Sequence, residues 1–156
     1  MKNLIFAALS FCLLFSFCKK KESTPEATPT PETPVSQITL KINGSDFTYN
    51  TTSSLFMNPT RMVNFVNNTT NEQISIAFYS KPLAGNYVLA KYGSPSIKYT
   101  KNNTNYYSVS GNFNVTQIDT NASHMITKLI GTFSCLTDTS SSTSFSITSG
   151  SINYQQ

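Results

Sequence analysis

Tryptophan is absent from the chain, histidine occurs once, at His124, and arginine once, at Arg61. One histidine excludes a metal cluster built on several imidazoles. A Ser-His-Asp arrangement would have to use that single ring, and no G-x-S-x-G elbow is present to hold its serine. Charge is scarce as well, at 12% of 156 residues. From Val35 onward, six lysines and Arg61 face only Asp46, Glu72, Asp119 and Asp138. The surplus is too small and too scattered for a nucleic-acid footprint, which needs clustered Lys and Arg on one face. The acids show no spacing that marks a catalytic pair. Asp119, Asn121 and Ser123 alternate like the opening of a calcium loop, but the sixth position is His124 and the twelfth is Ile130, so that reading fails. No enzyme, metal or cofactor is expected.

Ser, Thr and Asn are present in abundance, with eight Tyr and eleven Phe. No stretch of 35–156 carries a 3.6-residue apolar period, whereas apolar alternation is frequent. "QITLKI" puts Ile38, Leu40 and Ile42 on one face, and Asn43–Gly44 is a strong hairpin signal leading into "SDFTYN". "RMVNFVN", "EQISIAFYS", "YVLAKY", "IKYTK", "YYSVSG", "NFNVTQI", "HMITKLIGTFSCL" and "TSFSITSGSINY" read as further strands, with Gly131 a bulge in the penultimate one. The expected fold is all-β: a single antiparallel β-sandwich or small meander barrel of roughly 8–10 strands. "GNFN" at 111–114, "GTFS" at 131–134 and "GSIN" at 150–153 form a weak echo, read as sheet geometry in which glycine lets backbones approach.

The N-terminus has a different composition. Lys2 precedes an apolar run from Leu4 to Phe17, which is too short to span a bilayer as a helix and suited to a signal-peptide core. "FSFC" followed by Lys19–Lys21 resembles a bacterial lipoprotein signal, in which the cysteine is acylated and the peptide is cut before it. Phe17 stands where such signals usually carry a small residue. Cys12 is the rival acceptor, and an uncleaved signal anchor is the remaining alternative. The expected organisation is a signal peptide over 1–17, lipidated Cys18 with a Pro/Thr-rich linker over 18–34, and the all-β domain over 35–156. Pro25, Pro29, Pro31 and Pro34 favour an extended linker reaching about 40 Å. With Cys18 acylated and Cys12 removed, Cys135 would have no disulfide partner and is expected to be a small buried hydrophobe.

Residues 79–107 hold six of the eight tyrosines and four of the domain's six lysines. Tyr99, Lys101, Tyr92 and Tyr107 are the candidate ligand-binding residues, because tyrosine beside lysine can stack on a sugar ring or meet an acidic polymer. Alternation puts Tyr99 and Lys101 on one face with Ile97.

"ITLKINGSDFTYN", "PLAGNYVL" and the closing "ITSGSINY" resemble an uncharacterised family of small β-rich lipoproteins from Bacteroidetes. The resemblance implies a cell-envelope location at the outer membrane, on its periplasmic or its cell-surface side, and no activity to carry over. The expected partners are the membrane, through the lipid anchor, and a glycan, a peptide or another envelope protein, with no nucleic acid. A lipocalin-like barrel carrying a small apolar ligand is the alternative.

Overall fold

In the computed structural model, which describes residues 36–138 and 143–156, Asn43 and Gly44 take φ values of +49° and +85°. Two successive positive φ angles are what a two-residue I′ turn demands. They join β1 (Gln37–Ile42) to β2 (Ser45–Tyr49) in the expected hairpin. The expected signal peptide, Cys18 and the linker up to residue 34 lie outside the described residues.

Eight more strands follow. They are β3 (Thr51–Met57), β4 (Thr60–Asn67), β5 (Glu72–Phe78), β6 (Gly85–Ala90), β7 (Ser96–Lys101), β8 (Thr104–Thr120), β9 (Ile126–Asp138) and β10 (Ser144–Gln155). All pair antiparallel in one sheet, in the order β2-β1-β10-β9-β8-β7-β5-β4-β3. β6 lies off that path, pairing with β8. The described residues contain no helix, and the sheet curls into a half-barrel. Most neighbours are consecutive hairpins, but β1 pairs with β10, which brings the two ends of the domain together.

Two strand assignments differ from the sequence reading. "TTSSLFM" forms β3, although its polar first half carries little strand signal. "YYSVSG" and "NFNVTQI" are one continuous strand, because Gly111 accepts φ +136° without a turn. Along one edge of β8, β7 pairs with Thr104–Tyr107 and β6 with Ser110–Val115, end to end.

Alternation sorts the side chains. β1 buries Ile38, Leu40 and Ile42, and the interior is filled by large rings, with Tyr49, Tyr99, Tyr154, Phe65, Phe78 and Phe113 fully buried. Each such side chain contributes roughly 1.5–3 kcal/mol on leaving water. Edge-on ring pairs add direction: Phe65 with Tyr154 at 6.2 Å, Phe113 with Phe133 at 6.0 Å and Tyr99 with Phe145 at 5.1 Å.

Gly131 is not itself a bulge. It pairs regularly with Val115 on one side and Ile152 on the other, and the register shifts fall on its neighbours, between Val115 and Gln117 and between Ile147 and Gly150. Gly150 pairs with Phe133, and the Phe133 ring fills the place a side chain would take: a Cβ there would lie 2.4 Å from Cε1. The three glycines of the echo are therefore stepped across the sheet rather than level, each opposite a different residue of its neighbour.

Candidate functional site

Tyr99, Lys101, Tyr92 and Tyr107 occupy three different places. Ile97, Tyr99 and Lys101 do share a face of β7, and that face is the interior. Tyr99 is fully buried, with its ring 5.9 Å from Tyr106, so a ligand in solvent does not reach it. Tyr92 stands at the turn after β6, at φ +63°, with 83% of its surface exposed and Lys91 Nζ 5.9 Å from its ring. Tyr107 points the opposite way from Tyr106 and lies on the outer face, where it pairs with Lys98.

Tyr99, buried, and Lys101, half-buried at the rim, belong to a polar cluster centred on buried Glu72, the first residue of β5. Tyr49 Oη donates to Glu72 Oε2 at 3.2 Å, and Lys101 Nζ lies 3.1 Å from Oε1. The Tyr99 hydroxyl is buried with no hydrogen-bond partner among the described residues. Burial, and then the Glu72 charge, hold both phenols protonated well above the ordinary tyrosine range. Because β2 ends one side of the sheet path and β5 lies near the other end, the Tyr49–Glu72 bond clasps the curled sheet from within. The cluster reads as a structural fastener.

Cys135 is buried on β9, and burial alone pushes its thiol up to about 12. It stays protonated at neutral pH, as a core residue would. His124, at φ +64° in the turn between β8 and β9, is exposed and rests on Phe56 with ring centroids 5.2 Å apart. Arg61 covers the same Phe56 ring at 5.0 Å. Among the described residues, no three His, Cys, Asp or Glu side chains gather as metal ligands would.

Two grooves of the outer face bear on the candidate residues and on binding. One, of about 270 Å³, lies over β3, β4, β5, β7 and the start of β8. Its walls are Tyr79, Tyr107, Lys98, Met57 and Met62, and its floor includes Ser75 and Ser96, both buried. The Tyr79 and Ser96 hydroxyls are 3.1 Å apart, and Gln73 Nε2 donates to Ser75 Oγ at 3.0 Å and to Asn64 Oδ1 at 2.9 Å. These bonds fix the floor and leave the tyrosine rings as the accessible walls.

The second groove is larger, about 450 Å³, and lies over β6, β8, β9 and β10. Its walls are Asn86, Asn112, Asn114, Thr132, Ser134 and Ser151, all exposed, above a floor at Phe113, Phe133 and Gly150, where both rings turn into the core. Sequence reading missed it. Its signal lies within the echo already noted, where "GNFN", "GTFS" and "GSIN" each send their polar members outward and their glycine and apolar members inward. Compared with models of protein families, with curated proteins and with solved structures, the chain matches none.

Proposed function

We propose that the protein is a lipid-anchored component of the outer membrane, of the Bacteroidetes lipoprotein type, whose β domain binds a partner through its outer face. One observation carries the binding half of this reading. The interior is occupied by interlocking aromatic rings, while the accessible concave surface lies outside, in the Tyr79–Tyr107 groove and the larger Asn/Ser/Thr groove. A ligand carried inside the barrel would have to displace Phe65, Tyr99 or Phe113, each packed with no exposure. The role is binding rather than catalysis: the one described thiol is protonated and sealed, and the Glu72 cluster faces inward.

The anchoring half rests on Cys18 after its apolar run. Two or more acyl chains make attachment durable, at about 0.8 kcal/mol per buried CH₂. Lys19–Lys21 would add roughly 1 kcal/mol each beside anionic head groups. The test is Cys18→Ser in cells fed a labelled fatty acid, where the variant should lose the label and leave the membrane fraction. Retained label would move the site to Cys12, and an unlabelled wild type would end the lipoprotein reading.

A further inference from the structure

We infer that the groove over β6, β8, β9 and β10 is a binding site for an uncharged oligosaccharide. The inference rests on the outer-face reading above and does not depend on the lipid anchor.

The chemistry of the walls leads to this ligand. Asn86, Asn112, Asn114, Thr132, Ser134 and Ser151 present amides and hydroxyls, and no Lys, Arg, Asp or Glu lines the groove among the described residues. Amide and hydroxyl groups together both donate and accept, which matches sugar hydroxyls that do the same. An anionic polymer or a nucleic acid would find no cation here. A peptide strand would seek a free sheet edge, and β8, β9 and β10, which carry five of the six polar wall residues, are each paired on both sides; β6, at the margin, pairs with β8 alone among the described strands.

Among the described residues, none of these six side chains has a hydrogen-bond partner, in contrast to Gln73, Ser75 and Ser96 under the tyrosine groove. Their capacity is unspent and faces solvent. They are also in register. Asn86 pairs with Asn114, Asn114 with Thr132, and Thr132 with Ser151, which makes a polar row across four strands about 4.8 Å apart. Asn112 opposite Ser134 begins a second row.

The hollow itself is built. Register shifts flank it, at Val115/Gln117 on β8 and Ile147/Gly150 on β10. Bulges of this kind bend strands and re-aim side chains beside binding sites. The volume falls in the range of small-ligand clefts, roughly 300–1,000 Å³. At the floor, by Phe113, Phe133 and Gly150, both rings turn into the core, so recognition falls to the polar walls.

The full chain, held in a detergent without a sugar head group, should be titrated with cellotriose, maltotriose, laminaritriose and triacetylchitotriose, and with trigalacturonic acid as the charged comparison. Side-chain amide signals of Asn86, Asn112 and Asn114 report on the groove. At least one neutral trisaccharide should shift them at millimolar concentration, and the acidic one should not. Asn112→Asp keeps the size of an exposed residue and should weaken that binding at least fivefold, about the effect of one lost hydrogen bond. Asp46→Asn, at an exposed position of β2 outside both grooves, should leave it unchanged. Silence from all four neutral sugars overturns the inference, as does equal response to the acidic one. Shifts confined to Tyr79 and Tyr107 would also overturn it while leaving outer-face binding intact, and fatty-acid labelling reads the anchor separately.

Discussion

Replacing Gly150 with alanine places a methyl carbon 2.4, 2.6 and 2.7 Å from Cε1, Cδ1 and Cζ of Phe133. Real Cβ atoms do not approach carbon so closely, so the ring or the strand must move. Phe133 is 5% exposed and packs edge-on against Phe113, itself fully buried, so the ring has little room. Overpacking of this kind costs about 1–3 kcal/mol. Gly150 does not have the positive φ that reserves a site for glycine, so alanine also restricts the unfolded chain and returns about 0.4–1 kcal/mol. The net expectation is a loss of about 1–2 kcal/mol, read from urea midpoints at unchanged slope. The decisive step is a double-mutant cycle. Phe133→Ala alone should cost about 3–5 kcal/mol. In that background Gly150→Ala should reverse sign, because only the backbone entropy gain remains. Equal destabilisation by Gly150→Ala in both backgrounds would refute the assignment of the glycine to the ring above it.

Gly131→Ala offers a contrast, since its Cβ would meet the backbone carbonyl oxygen of Asn114 at 2.4 Å. It should destabilise by a similar amount, and Phe113→Ala should not rescue it, which a second cycle checks. At the internal fastener, Glu72→Ala strands the Tyr49 hydroxyl and should cost about 1–3 kcal/mol by urea unfolding. Glu72→Gln keeps an acceptor and should cost less, and the reverse order would count against the Tyr49 contact. Tyr49, Tyr99 and Tyr154 all hold their protons above the usual range, so the unfolded state releases protons that the folded state retains. Stability should therefore fall as pH rises past about 10. In absorbance at alkaline pH, these phenols should ionise only together with unfolding. Cys135 should resist thiol reagents in the folded protein at neutral pH and react once denatured, and rapid labelling would show the thiol to be accessible.

Much of the fold is legible in local pattern. Asn43–Gly44 dictates its turn, and alternation in "QITLKI" and "EQISIAF" marks the buried faces. β3 was hidden because Thr51–Ser54 reads as loop chemistry and gains its strand only by pairing with β4. Gly111 suggested a break because a strained glycine and a turn glycine look alike in sequence. The site was harder to read. Alternation tells which residues share a face, as Tyr99 and Lys101 do, but the sheet's curl decides which face is the interior. Glu72 gave no signal because its partners Tyr49 and Lys101 come from distant strands. The Asn/Ser/Thr groove depends on register across four strands, which no single segment encodes.

The pairing of β1 with β10 also sets an order of events. Ser36 accepts the Gln155 amide across 119 residues at 2.9 Å, and Asn43 Oδ1 accepts the Ser146 amide across 103. A chain made from its N-terminus produces the β1–β2 hairpin first and the strand that covers it last. Until β10 arrives, the Ile38–Leu40–Ile42 face has no sheet partner beyond its own hairpin. Closure over so long a loop is slow, and exposed strands associate with one another in the interval. Keeping that first hairpin apart from other copies until the last dozen residues join it becomes a task for whatever escorts the unfolded chain.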